Sequence, residues 1–278
     1  PVSCSTWVVP VPSGKSIPAD GSRKTWHLAD FTGDGVADLI VTNDTEAFAC
    51  PAAVNPATAL ATGFGACTLL PTQTPSSIPG LQGRLYAKVA DIDGDGRMDV
   101  VFYRGNGAFE VCLPPGTLGA SGGWVCKPPI TVVNLAYSSV NASEELKSTV
   151  FADFNGDGRS DVAIRIDPQC VNGSGFHWDP SSQTNIPNGT PPGTQCGKAA
   201  STSSPYWVVC FATGSFSSTP STFRFDCSTR SGVGVGGAVA AVSGDIDKVA
   251  TYDFNGDGLA DFGARVPGGG WRICLSTG

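Results

Sequence analysis

A nine-residue acidic loop occurs four times in this chain, and a repeat of that kind constrains the fold more than any single element does. The copies are Asp30-Phe-Thr-Gly-Asp-Gly-Val-Ala-Asp38, Asp91-Ile-Asp-Gly-Asp-Gly-Arg-Met-Asp99, Asp153-Phe-Asn-Gly-Asp-Gly-Arg-Ser-Asp161 and Asp253-Phe-Asn-Gly-Asp-Gly-Leu-Ala-Asp261. Oxygen-bearing side chains stand at positions 1, 3, 5 and 9, with glycine at 4 and 6. Such carboxylates converge on one hard cation only if the backbone wraps tightly, and glycine tolerates the positive φ that wrapping needs. Ca²⁺, which takes six to eight oxygens, is the natural guest. The bland alternative, four plain Asp-Gly turns, does not account for the same string in the same apolar context each time.

The loops set a period. Successive first aspartates lie 61, 62 and 100 residues apart. The long interval contains a segment, about 167–205, rich in Pro, Gly, Ser, Thr and Asn, and removing it restores the period. Within each repeat a short apolar run enters the loop (Trp26 to Ala29, Tyr86 to Ala90, Thr149 to Ala152, Val249 to Tyr252) and a strand-like run leaves it. A cysteine-bearing strand follows, ending at Cys50, Cys112, Cys210 or Cys274, and then a turn and a second cysteine-bearing segment at Cys67, Cys126 or Cys227. Sixty-residue units of four short strands, punctuated by the 36 Gly and 21 Pro, predict the blades of a β-propeller. The expected fold is all-β: one domain over 1–278, four blades of four antiparallel strands, with an insertion at about 167–205.

The ten cysteines fit that register. Cys50 with Cys67, Cys112 with Cys126, and Cys210 with Cys227 pair within blades, and Cys170 with Cys196 within the insertion. Cys274 and Cys4 remain. Cys274 occupies the first position of the recurring pair, and Cys4, followed by Ser-Thr as Cys227 is, resembles the second. A Cys4–Cys274 bridge would close the ring by N- and C-terminal strand sharing; otherwise the chain is a slice of a larger ring whose terminal cysteines lack partners here. With no CxxC and two histidines, zinc is not expected. Five disulfides predict a secreted, extracellular protein. The sequence opens Pro1-Val-Ser-Cys without a signal peptide or initiator Met, and reads as a processed or excised piece.

Charge points the same way. The net charge is −7, against a nucleic-acid partner, and the loops hold thirteen of the 24 Asp and Glu residues. Four bound Ca²⁺ ions would bring the balance to +1, so the acidity belongs to metal ligands. No apolar run is long enough for a membrane span. Asn43, Asn141, Asn172 and Asn188 begin glycosylation sequons, which matter only in a eukaryotic secretory pathway.

The string Ala-Asp-Phe-Asn-Gly-Asp-Gly-x-x-Asp followed by a short hydrophobic strand, seen at Ala152–Asp161 and with small departures at the other three loops, resembles the FG-GAP/VCBS repeats of integrin-α-like calcium-binding propellers. The resemblance covers nearly all of the chain outside the insertion. It implies up to four structural Ca²⁺ ions. The first would be held by Asp30, Thr32, Asp34, the Val36 carbonyl and Asp38, and the second by Asp91, Asp93, Asp95, the Arg97 carbonyl and Asp99. Asp153, Asn155, Asp157, the Arg159 carbonyl and Asp161 would hold the third, and Asp253, Asn255, Asp257, the Leu259 carbonyl and Asp261 the fourth. Two features depart from the family: its rings usually have six to eight blades, and a cysteine pair in every blade is not general to it. An EF-hand is excluded, because Val41, Phe102, Ile164 and Ala264 stand where its bidentate Glu is required.

Nothing in the sequence assembles a catalytic site. His27 lies on an apolar run before a loop and is read as structural. The four glutamates, Glu46, Glu110, Glu144 and Glu145, are not placed for acid–base work. Trp124, Trp207 and Trp271, at equivalent strand starts, are expected in the core. Trp178 and His177, on the insertion, are the candidates for ligand contact. The leading expectation is a non-enzymatic binding module that recognises a glycan or protein surface, as lectins and adhesins do. The alternatives are a structural propeller domain of a larger secreted or toxin-shell protein, and a polysaccharide lyase-type enzyme.

Overall fold

A computed structural model describes residues 6–15, 26–43, 45–71, 87–105, 108–116, 123–133, 149–166, 176–179, 184–187, 206–217, 221–227, 249–265 and 271–277. Every regular element among them is a strand. The fold is all-β, with four small antiparallel sheets as the blades of a β-propeller. By compactness the chain divides into one unit of residues 1–104 with 109–130 and another of 105–108 with 131–278.

In the first unit, β1 (Trp26–Ala29), β2 (Asp38–Thr42) and β3 (Ala47–Cys50) precede a hairpin of β4 (Ala52–Asn55) and β5 (Leu60–Phe64), and β6 (Thr68–Leu69) then closes a blade ordered β1-β2-β3-β6. The next blade repeats this with β7 (Ala87–Ala90), β8 (Asp99–Gly105), β9 (Ala108–Leu113) and β10 (Val125–Cys126). Both faces of the inner strands β2, β3 and β9 are buried, which is why they read as unbroken apolar runs. On β2, Leu39 and Val41 pack with Phe48 and the Cys50–Cys67 pair, while Ile40 turns to the opposite face with Phe31, Val100, Phe102 and Trp124.

The second unit contains β11 (Ile130–Val133), β12 (Val150–Ala152) and β13 (Asp161–Ile166), an insertion hairpin of β14 (Phe176–Asp179) and β15 (Thr184–Pro187), then β16 (Tyr206–Thr213) and β17 (Arg224–Asp226). β11 runs parallel to β17, with Val132 opposite Phe225. The last blade has three described strands, β18 (Val249–Tyr252), β19 (Asp261–Arg265) and β20 (Trp271–Cys274). Phe154, Ala163, Val209 and Phe262 form a core cluster of this unit.

Three of the expected disulfides are formed, Cys50–Cys67, Cys112–Cys126 and Cys210–Cys227. Each joins the third strand of a blade to the fourth. Cys112 and Cys126 lie directly opposite in register, and the other two pairs follow on from Ala49 opposite Thr68 and from Phe211 opposite Asp226. Replacing Cys210 and Cys227 together by serine should cost about 3 kcal/mol in the chain-entropy picture of a loop this short, read as a lower urea midpoint with a steeper slope, because the unfolded chain without the cross-link exposes more surface.

The expected Cys4–Cys274 bridge is a correction. Cys274 carries a free thiol, and Cys4 lies outside the described residues, as do Cys170 and Cys196. Two features account for it. No described strand pairs with the far side of β20, and that pairing is what aligns the two cysteines in the other blades. The described N-terminal segment is instead committed to the first blade: Trp7 packs edge-on against Phe64 at 5.5 Å, the Cys67 amide donates to the Pro10 carbonyl, and Lys15 pairs with Glu46. Closure by terminal strand sharing therefore lacks its anchoring bridge.

Candidate metal centre

Each acidic loop links the first two strands of its blade, and all four adopt one geometry. The glycines at positions 4 and 6 have φ between 77° and 87° throughout, a region costly for any residue with a Cβ. That turn aims backbone amides inward. At position 1, one carboxylate oxygen accepts from the amides of positions 4 and 5 and the other from position 6. For Asp91 these are Gly94 at 2.8 Å, Asp95 at 3.1 Å and Gly96 at 2.9 Å. For Asp253 they are Gly256 at 2.6 Å, Asp257 at 3.1 Å and Gly258 at 2.9 Å. The position-5 carboxylate accepts from the amide of position 7 at 2.9 Å in every loop. The side chains at positions 1 and 5 are thus oriented by backbone before any ligand binds.

Position 9 has a second role that spacing did not reveal. Asp38, Asp99, Asp161 and Asp261 are fully buried. One oxygen of each accepts from the amide of position 2, Phe31, Ile92, Phe154 or Phe254, at 2.8–3.0 Å. In three blades the other oxygen accepts from the residue two beyond the first cysteine: Ala52 at 2.7 Å, Ala212 at 2.8 Å and Ser276 at 2.8 Å. The aspartate staples the loop to the end of the third strand.

The second blade breaks this rule. The residue two beyond Cys112 is Pro114, which has no N–H, and Asp99 Oδ1 is buried without a hydrogen-bond partner. Burial, with the charges of Asp93 and Asp91 added, pushes Asp99 up to about 9. Asp161, which keeps both amides, is pushed by burial to about 7. Amide bonds favour the ionised form, so Pro114→Ala should lower the Asp99 pKa toward that of Asp161, measured by carboxyl NMR in cation-free protein. The Cys-x-Ala, Cys-x-Ala, Cys-x-Ser and Cys-x-Pro series is visible in the sequence and was the signal available.

The second loop also concentrates its acids. Ligand oxygens of Asp91, Asp93 and Asp99 all lie within 4.8 Å of one another. Burial and the neighbouring Asp95 charge push Asp93 up to about 6. Three converging carboxylates, one of them with an orphaned buried oxygen, suit a hard cation and nothing apolar. Arg97 partly offsets the acids, bonding Asp95 and reaching the Pro115 carbonyl at 2.7 Å. Arg159 acts likewise on Asp157 and the Gly214 carbonyl. Val36 and Leu259 hold that position in the other two loops.

The remaining candidates divide. His27 is structural as expected: its Nε2 lies 2.8 Å from the Ala87 carbonyl, and desolvation, then the charge of Lys88, lower its pKa. A histidine depressed when folded takes up its proton first in the unfolded chain, so stability is full above about pH 6.5 and falls as pH drops below it. His27→Gln, which keeps a donor for Ala87, should flatten that acid slope relative to wild type in unfolding titrations from pH 7.5 to 5.5. Glu110 forms a buried ion pair with Arg104, a structural use. Trp124 is buried against Phe31 with ring centroids 5.2 Å apart, as expected. Trp271 corrects that expectation: it is 52% exposed on β20, the last of the described strands of its sheet. His177 and Trp178 stand on β14, opposite Ile186 and Asn185, and their side chains lie outside the described part of the structure. The side chain of Trp207 does too.

No family model matches the chain, and no curated protein matches it. Among the solved structures that are similar in part are these two. One is an Agrocybe aegerita lectin whose structure concerns recognition of non-reducing terminal N-acetylglucosamine, 19% identical over 91% of this chain and 52% of that one, with a TM-score of 0.44. The other is a chain of the TcdB2–TccC3–Cdc42 structure, 21% identical over 51% of this chain and 6% of that one, with a TM-score of 0.34. This chain thus spans about half the length of the first and a small fraction of the second.

Proposed function

We propose that this chain is an extracellular, Ca²⁺-stabilised β-propeller binding module that recognises a glycan or protein at a surface. The observation that carries the calcium reading is the convergence of Asp91, Asp93 and Asp99, the last with one buried oxygen that no protein donor satisfies. The four-fold recurrence of one amide-braced loop extends it to the other blades, in line with the resemblance to FG-GAP/VCBS repeats. Ligands would be the side chains at positions 1, 3, 5 and 9 with the position-7 carbonyl. The ion's contribution is charge neutralisation that holds each loop against its own carboxylates. Three disulfides are compatible with an oxidising compartment, and among the described residues no helix is long and apolar enough to cross a membrane.

Recognition is assigned to loops, because a rigid scaffold displays ligand contacts best on the segments that vary. The insertion with His177 and Trp178 alone breaks the repeat. The deciding experiment is a glycan array probed with the full chain, with Ca²⁺ and after chelation. A defined glycan set, lost on chelation and weakened in Trp178→Ala, supports the proposal. An array without hits, together with no protein captured from a cell surface, removes it.

One observation favours the second reading, a propeller domain within a larger secreted or toxin-shell protein. Phe31, Ile92 and Phe154 are buried at loop position 2, whereas Phe254 is 45% exposed, with Tyr252, Trp271 and Ile273 also exposed on the same blade. A domain seated in a larger assembly would cover that face.

A further inference from the structure

The loops are not separate from one another within a unit. The Met98 amide donates to the Asp30 carbonyl at 2.9 Å, and the Ala260 amide donates to the Asp153 carbonyl at 2.8 Å. The two bonds are equivalent: position 8 of one loop reaches position 1 of the loop before it. A second contact repeats as well. A Cβ on Gly33 would meet the Arg97 side chain at 3.0 Å, and one on Gly156 would meet Leu259 at 2.7 Å. Position 7 of the later loop therefore lies directly over position 4 of the earlier one.

We infer that cation binding is coupled in pairs, the second loop with the first and the fourth with the third, through the peptide between positions 7 and 8. This rests on the calcium reading above. The peptide joining Arg97 to Met98 carries the expected ligand carbonyl on one side and the donated N–H on the other. Were the Arg97 carbonyl to hold a cation, the plane of that peptide would be fixed and the peptide polarised. Its N–H then becomes a better donor to the Asp30 carbonyl, because hydrogen-bonded groups in series strengthen one another. Asp30 is position 1 of the first loop, and its side chain gathers the amides of Gly33, Asp34 and Gly35 at 2.7, 3.2 and 2.7 Å. Holding its backbone holds that cradle. Leu259, Ala260 and Asp153 repeat the connection, with the Asp153 side chain gathering Gly156, Asp157 and Gly158 at 2.7, 3.2 and 2.9 Å.

Coupling of this kind is reciprocal: each loop of a pair must change the affinity of the other by the same factor. The packing of position 7 on glycine adds a steric route, since a loop that opens loses the surface its neighbour closes on.

The test is hydrogen-exchange mass spectrometry of the whole chain during a Ca²⁺ titration, reading the peptides over 30–38, 91–99, 153–161 and 253–261 separately. In wild type, protection of the paired loops should rise with a Hill coefficient above one. Asp93→Asn, which weakens the second loop alone, should shift the Ca²⁺ midpoint of the first by about five-fold or more, the lower end of ordinary allosteric coupling. Asp34→Asn should shift the midpoint of the second in the same direction. The fourth and third loops should behave likewise with Asp257→Asn and Asp157→Asn. Midpoints that stay put in the partner loop overturn the coupling while leaving the calcium sites standing. Absence of any Ca²⁺-dependent protection in wild type overturns both. Should a variant fail to fold, the wild-type curves decide: independent binding gives a coefficient of one in each loop.

Discussion

Chelation with EDTA should lower the thermal unfolding temperature by roughly 10 °C or more, and Ca²⁺ should restore it. A cation at a hundred times its dissociation constant adds about 2.7 kcal/mol per site, and one kcal/mol moves the midpoint about 2–4 °C in a chain of this size. Two sites in each unit therefore suffice. The carboxylates act in the same direction. With the cation gone, Asp91, Asp93 and Asp99 hold ligand oxygens within 4.8 Å of one another, and part of the set must protonate or separate. Mg²⁺ should restore little, since it demands a smaller octahedral shell and gives up water reluctantly. Differential scanning calorimetry with and without chelator reads the effect directly. An unchanged midpoint would remove the structural role assigned to the ion.

Replacing Asp161 by alanine should cost about 2–6 kcal/mol, because the amides of Phe154 and Ala212 are both left buried at about 1–3 kcal/mol each. The same change at Asp99 should cost clearly less. Only the Ile92 amide loses its partner there, and the change also removes a buried carboxylate with one oxygen unsatisfied. Chemical unfolding of both variants in cation-free buffer compares them without the contribution of the ion. Equal costs would show that the staple to the third strand contributes nothing, and that burial alone sets the value of position 9.

Much of this fold was legible because two periodicities coincide. The loop string marks the junction of the first two strands, and the cysteine spacing marks the third and fourth. The runs entering the first and fourth loops appear as β1 and β18 with the bounds expected. What escaped had no such marker. The hairpin of β4 and β5 is built from Ala52 to Asn55 and Leu60 to Phe64, partly exposed segments without apolar alternation. The parallel strand β11 follows Pro128 and Pro129, which read as loop. The Cys4–Cys274 bridge was inferred from similarity of flanking residues, a local signal. Where the N-terminal segment packs was decided by contacts with the first blade, those of Trp7 with Phe64, Pro10 with Cys67 and Lys15 with Glu46. At the loops, the residue types pointed to a cation, but the double duty of position 9 depends on an amide more than ten residues away, which no nine-residue string contains.

The staple also supplies a rule for finding kindred blades in other sequences. Its two ends are the last aspartate of the loop and the residue two past the first cysteine, with Ala52, Ala212 and Ser276 as the working examples. A scan that demands the loop, then a cysteine, then anything but proline two places on, tests long-range register with three short strings. Hits on the loop alone would include unrelated calcium turns, whereas hits on all three would share the wiring of the blade. Pro114 marks the tolerated exception, and a blade that carries it has exchanged a backbone donor for a free carboxylate oxygen.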